Sequence, residues 1–304
     1  MGRWYGAQVT AFHAFVNLPV IDPVPLYRGQ VLTLSDVDVE SLRMRLQEFV
    51  GGVAGDLAVA TEVSEAADVR GRIVERAAEL GCDLIVMGTH GRSGFERLLL
   101  GSVAERVARK APCPVMLVPP GAIEGQSPIA VPFTRIVCPI DIGDNAARAL
   151  DLALALAQEA DADLTLLHAI EIPPELRELS MPGDVGIEAV HAVAQAAAVT
   201  RLQAMVPADA RIYCRVHTEV REGRAYATIL EVAAQQQANL IVMGVHGRGV
   251  DRLMLGSNVH PVLCGARCPV LVVRPVTSQA SQKDRRAAVA ALVRDRNLLR
   301  VRRE

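Results

Sequence analysis

The chain has 304 residues, enough for about two domains of roughly 150 residues each, and its 34 acidic and 32 basic side chains leave a formal charge of −2. That balance excludes a molecule built as an electrostatic trap for nucleic acid or an anionic membrane. Hydrophobic residues make up 51 % but aromatic ones only 3 %, so the core must come from Ala, Val, Leu and Ile, as in parallel sheets covered by helices.

In chain order, the first half predicts strands over Gln8–Phe15, Leu57–Thr61, Asp83–Gly88 and Val115–Val118. Between them lie helices over Val37–Phe49, Val69–Leu80 and Ser102–Lys110. Pro119 to Thr134, rich in Pro and Gly, reads as a linker. The second half predicts strands over Arg135–Pro139, Leu164–Ala169, Arg211–His217, Leu240–Gly244 and Val270–Val273. Its helices are expected over Asn145–Glu159 with Asp144 as cap, Glu188–Met205, Arg224–Gln237 and from Ser257 to about Gly265. Short β-rich runs alternating with helical patterns point to parallel βαβ units. Beyond Pro275 the chain turns polar and basic, which reads as a solvated extension or an interaction tail.

The two halves repeat one another. Cys82–Arg92 recurs as Ala238–Arg248, Leu100-Gly101-Ser102 as Leu255-Gly256-Ser257, Cys113-Pro114-Val115 as Cys268-Pro269-Val270, and Ala7–Ala14 as Ala162–Ala169. The period is a whole domain. The expected domains are 1–120, a linker 121–133, 134–276 and the extension 277–304. The six cysteines are scattered without zinc or thioredoxin spacing and read as small buried hydrophobes. No apolar run approaches the roughly 20 residues of a membrane span, and Met1–Tyr5 lacks the apolar stretch of a secretory leader, so the expected location is the cytoplasm.

The chemistry gathers where a buried strand ends at Gly88, a second glycine follows at Gly91, and Gly101-Ser102 opens a helix. Glycines let backbone approach a ligand closely, and the unpaired N–H groups of a helix start favour an anion. There is no Walker lysine and no Gly-x-Gly-x-x-Gly. Arg92 and Arg248 are placed to reach phosphate or to be solvated loop charges. His90 and His246 either touch phosphate or shape the turn. His13 and His168, inside apolar strands, read as core histidines.

The pattern Gly-x2-Gly-x9-Gly-Ser, preceded by an Asp-Leu-Ile-Val-Met-Gly strand and followed by Pro-Cys-Pro-Val, resembles the universal stress protein family over about residues 1–275. The resemblance implies α/β architecture: two tandem open parallel sheets with helices on both faces, adenine-nucleotide alpha-hydrolase-like, with strand order 3-2-1-4-5. It implies ATP at the switch point in nucleotide-binding members, and pairing of two domains through their last strands. That pairing can be met within the chain as a pseudo-dimer, with further homodimerisation open. Carried over, the phosphate loops are Gly88, Gly91, Gly101 and Ser102, and Gly244, Gly247, Gly256 and Ser257. The family's adenine-contacting acid matches Asp141, which otherwise reads as a turn cap, and the residue against the base matches Ala169, with Ala14 in the first half.

Two departures stand out. Eight residues separate Gly247 from Gly256, against nine between Gly91 and Gly101, so the helix start after the second loop should be redirected. In the first half, Arg3–Ala7 aligns with Gln158–Ala162, so the first strand and its acid have no counterpart. Two inner sheet edges are then left open, and the expectation is either that the polypeptide extends upstream or that strands two and four collapse together. The reading is a nucleotide-binding stress-response regulator, with ATP and Mg²⁺ on its phosphates as the expected ligand and at most slow ATP hydrolysis. No Ser-His-Asp set, metal cluster or paired acids accompanies the loops. The alternative is a scaffold of the same fold acting through protein contacts.

Overall fold

The computed structural model describes residues 2–17, 38–90, 100–120, 122, 133–142, 147–171, 185–208, 210–245 and 255–274, with side chains in the 185–208 stretch described from 192. Gly91, Arg92, His246, Gly247, Arg248, the Asp144 cap, most of the linker and the basic extension lie outside these residues. Contacts divide the chain into two compact units, 1–81 and 82–304.

In the first unit, β1 (Val9–Phe15) and β2 (Val59–Glu65) form a two-stranded parallel sheet, Val9 opposite Val59. The connecting helix α1 (Val39–Ala54) starts at Asp38, whose carboxylate accepts from the Glu40 and Ser41 N–H groups, and stops at Gly55 with φ +61°. α2 (Val69–Glu79) is capped in the same way by Asp68. Arg76 reaches back to Glu62 on β2 (2.8 Å) and Glu79 lies between Arg72 and Arg76, whose guanidinium groups hold its carboxyl below the usual range. Among the described residues of this unit, Phe15 and Ala77 are the buried hydrophobic side chains, while Met44, Phe49 and Val53 stay exposed.

The second unit holds β3 (Ile85–Gly88), α3 (Ser102–Lys110), β4 (Val115–Val118), β5 (Arg135–Pro139), α4 (Ala147–Ala160), β6 (Asp163–Ile170), α5 (Val185–Ala204), α6 (Ala210–Tyr213), β7 (Arg215–Glu222), α7 (Ala225–Gln235), β8 (Leu240–Gly244), α8 (Val259–Gly265) and β9 (Val270–Val273). Its seven-stranded sheet runs β3-β4-β9-β8-β5-β6-β7. The strands of the second half are all parallel and, numbered within that half, lie 3-2-1-4-5. Apolar runs drive this: Ile136, Val137, Cys138, Leu164, Leu166, Leu240, Ile241, Val242 and Val270 are all 0–1 % exposed. Helix α4 adds Ala149, Leu150, Ala153, Leu154 and Ala157, a repeating buried stripe.

β4 joins β9 in antiparallel fashion, Val115 opposite Val272, Met116 opposite Leu271 and Leu117 opposite Val270. Met116 thus meets its own repeat counterpart, and the ladder is symmetric about that pair. Arg274 leaves β9 to donate to Ala111 O at the end of α3 (2.9 Å), and Arg148 donates to Arg274 O (3.0 Å). Burial, and then the charge of Arg148, push the Arg274 guanidinium below its ordinary value.

The unit boundary at 81/82 differs from the repeat boundary because β3 and β4 extend the sheet of the second half. Strands two and four of the first half do not pair with each other: β1 sits in one sheet and β3 on the edge of the other. The expected collapse is therefore corrected. Among the described residues β1 pairs with β2 and β3 with β4. The third strand of the second half is also corrected. Residues 210–213 form α6, and β7 begins at Arg215, where alternation first fits the β6 register.

Backbone details repeat with the sequence. Ala7 N–H donates to Gly2 O (2.9 Å) as Ala162 N–H does to Ala157 O (2.9 Å), and Gly6 (φ +58°) matches Asp161 (φ +49°). Gly81 (φ +61°) likewise matches Gln237 (φ +49°). Residues 2–7 therefore make the same closing turn that ends α4.

Candidate functional site

In the first half, the strand end and the helix start are clasped together. Gly101 N–H donates to Thr89 O (2.9 Å), and a Cβ at Gly101 would stand 2.9 Å from that oxygen and 3.7 Å from His90 Cα. Only glycine fits without moving backbone. α3 begins directly after, at Ser102, and Gly101 offers its first turn no side-chain cap, so N–H groups there remain for an anion. Glu105, the acid of this turn, pairs with Arg109 (3.8 Å). Thr89 is 1 % exposed, and its Oγ1 lies 2.8 Å from His90 Nδ1. His90 Nε2 is buried with no hydrogen-bond partner among the described residues, a group for which a structure normally supplies one. Gly88, Gly101 and Ser102 thus share one bend.

In the second half the same clasp forms, Gly256 N–H to Val245 O (2.9 Å), but the helix does not start there. Ser257 and Asn258 make a turn, Val259 N–H donates to Gly256 O (2.9 Å), and α8 runs only from Val259. The expected start at Ser257 is corrected. Ser257 is therefore not at the first helical position that Ser102 occupies.

Asp141 follows β5 and Gly244 ends the adjacent parallel strand β8, so both stand at one rim of the sheet. Asp141 borders an open hollow of about 310 Å³ together with Ile142, His168, Ile170 and, from α5, Ala198 and Arg201. His168 Nδ1 donates to Ile140 O (2.8 Å), which fixes its ring at the edge of the hollow. Ala169, between His168 and Ile170, alternates to the opposite face of β6 and does not line it. His168 is half-buried and satisfied. His13 is exposed, so its assignment to the core is corrected: β1 lacks the neighbour that covers β6. Sequence reasoning missed the hollow and Arg201, because nothing in the spacing of α5 marks a residue that faces the end of β5.

Burial pushes the thiols of Cys113, Cys138 and Cys268 up to about 12, as inert core residues require. At the amino rim, the Arg215 guanidinium holds the Asp163 carboxyl below its ordinary value. Among the described residues no group of three His, Cys, Asp or Glu could hold a metal ion, and no helix is long and apolar enough to cross a membrane.

An α/β chain with doubly wound parallel strands, carrying a glycine clasp after equivalent strands of two halves, defines a tandem-duplicated α/β protein. The model of the universal stress protein family matches residues 3–119 and 132–274, well over half of the sequence, and the chain belongs to that family. A universal stress protein of Methanocaldococcus jannaschii is 30 % identical over 143 residues, covering 47 % of this chain and 82 % of that one. A universal stress protein of Mycolicibacterium smegmatis is 27 % identical over 279 residues, covering 89 % and 88 %. The solved universal stress protein of Archaeoglobus fulgidus shares the fold at 23 % identity and a TM-score of 0.50, over 82 % of this chain and 84 % of that one.

Proposed function

We propose that the chain is an adenine-nucleotide-binding regulator of the stress response, in which occupancy of the glycine bends biases packing or partner choice. The observation that carries this reading is the first-half clasp. A glycine with no room for a Cβ holds an uncapped helix start against a strand end, and His90 beside it has a buried, unpartnered ring nitrogen. Gly88, Gly101, Ser102 and His90, with Gly91 and Arg92 of the loop, are the proposed phosphate contacts. In the second half Asp141 is the proposed acceptor for an exocyclic amine, above Gly244 and Gly256, with Ala169 on the far face of β6. The symmetric β4–β9 ladder supports reading the chain as an intrachain pseudo-dimer. Fast chemistry is not part of the proposal: among the described residues of the site the hydroxyl that meets a histidine nitrogen, Thr89 Oγ1 beside His90 Nδ1, is only 1 % exposed and so is shielded from a substrate.

Isothermal calorimetry of the intact protein with ATP, ADP and AMP tests it. Saturable heat is expected, and His90→Ala should weaken it about 10- to 150-fold, the loss of one hydrogen bond to a charged group. A folded protein giving no saturable heat at millimolar nucleotide would overturn the reading. The scaffold alternative, favoured by the displaced Ser257, would then stand.

A further inference from the structure

Each glycine clasp is joined to the last strand of its own half by the same bonds. Val118 O accepts from Thr89 N–H (3.1 Å), and Thr89 O from Gly101 N–H (2.9 Å). In the second half Val273 O accepts from Val245 N–H (3.0 Å), and Val245 O from Gly256 N–H (2.9 Å). The residue that follows the last strand is Pro119 in the first half and Arg274 in the second. So the half whose glycine opens a helix carries a proline there, while the half whose helix starts only at Val259 carries a cation.

A second cation meets the first. Arg274 donates through Nη1 to Ala111 O (2.9 Å), and its own carbonyl accepts from Arg148 Nη1 (3.0 Å). Both side chains are half-buried. Arg148 lies in the first turn of α4, which holds no acid, although a helix dipole favours acids at that end and opposes cations. Burial and the Arg148 charge both disfavour the charged form of Arg274, and among the described residues no carboxylate offsets them. The bond to Ala111 O uses one arm of a forked donor. Asp141 follows β5 and Arg274 follows β9, on either side of β8, so two strand spacings or about 10 Å separate them across the sheet. That is the span from the exocyclic amine of an adenosine to its first phosphate.

We propose that Arg148 and Arg274 are a phosphoryl-binding pair that takes the place, at the second rim, of the helix start that Ser257 does not provide, and that this rim binds a nucleoside monophosphate. The two guanidinium groups close on the phosphoryl oxygens with charge-assisted bonds, and the anion between them offsets the repulsion that each imposes on the other. The base lies toward Asp141. That end of the ligand rests on the nucleotide reading above; the phosphoryl end does not.

The test follows the side-chain Nε–H signals of Arg148 and Arg274 by NMR while the intact protein is titrated separately with inorganic phosphate, adenosine and AMP. Phosphate and AMP should shift both signals saturably, and adenosine should shift neither. Arg274→Gln keeps an amide donor for Ala111 O but removes the charge. Read on the Arg148 signal, it should weaken AMP about tenfold or more, while Arg274→Lys, a charge without the fork, should fall between. Arg148→Gln, read on the Arg274 signal, is the reciprocal test, and a thermal melt confirms that each variant is folded. The proposal is overturned if millimolar phosphate and AMP leave both signals unmoved, or if a folded Arg274→Gln protein binds AMP at this rim as the parent does. If phosphate moves the pair while no nucleoside or nucleotide binds better than phosphate alone, the phosphoryl pair stands and the nucleotide reading falls. If AMP and adenosine bind alike without moving the pair, the nucleotide reading stands and the pair falls.

Discussion

Gln237 occupies a left-handed backbone position that its repeat counterpart fills with Gly81. A side chain there costs about 1 kcal/mol or more, while glycine adds freedom to the unfolded chain. Gln237→Gly should therefore leave stability unchanged or raise it by up to about 1 kcal/mol, read from the urea midpoint, whereas Gly81→Gln should lower it. Gly101→Ala is a different case, since its φ of −60° is ordinary. The new Cβ would meet a backbone oxygen at 2.9 Å, so a loss of about 1–3 kcal/mol is expected from crowding. The buried cysteines give a pH prediction. Thiols held near 12 in the fold ionise near 8.5 when unfolded. Their contribution is complete below that pH and is lost as pH rises from there toward 12. Denaturant midpoints should fall above pH 9, and less so in Cys138→Ala.

At the scale of elements, Asn239 ties the start of β8 to the start of β5, and it is 8 % exposed. Asn239→Ala would strand two backbone N–H groups, costing about 2–4 kcal/mol. Asn239→Asp keeps the oxygen that accepts both bonds and loses the Nδ2 donation to Thr134 Oγ1, so it should cost less, a contrast that thermal melts of the two variants would resolve. The strands with apolar runs and Gly or Pro flanks were legible in the sequence: β4, β5, β8, β9 and the helix from Ser102 to Lys110 carry the expected bounds. Position 210–213 was not, because Arg211-Ile212-Tyr213 has β-type composition while the turn at Pro207 and Ala210 begins a helical bond pattern. The bend at Gly88 and Gly101 was legible because glycine spacing is itself the geometry. The hollow beside Asp141 was not, since it depends on how α5 leans over β6.

For the whole molecule, the uneven burial predicts uneven stability. The first unit keeps few buried side chains and leaves Phe49 and Val53 of α1 67 % exposed. Local opening tracks such sparse packing, so β1 and β2 amides should exchange well before those of β5 and β6. Equal rates would contradict that account. The duplication, read from sequence alone, foretold which strands each half would own, and the family resemblance foretold that the last strands, Val115–Val118 and Val270–Val273, would meet; neither foretold that β1 and β2 would form a sheet of their own, because strand-to-strand joining is written in edges rather than in motifs.

The antiparallel seam has a stoichiometric meaning. Since β4 reverses direction against β9, β3 and β8 point opposite ways, and their two glycine bends open on opposite rims, a strand length or about 13 Å apart at least. The helix start at Gly101 and the carboxylate of Asp141 consequently cannot clasp the two ends of one small molecule. If the proposed function holds, a nucleotide titration is expected to resolve into two classes of event, with triphosphate chain length discriminating at the first rim and purine substituents at the second.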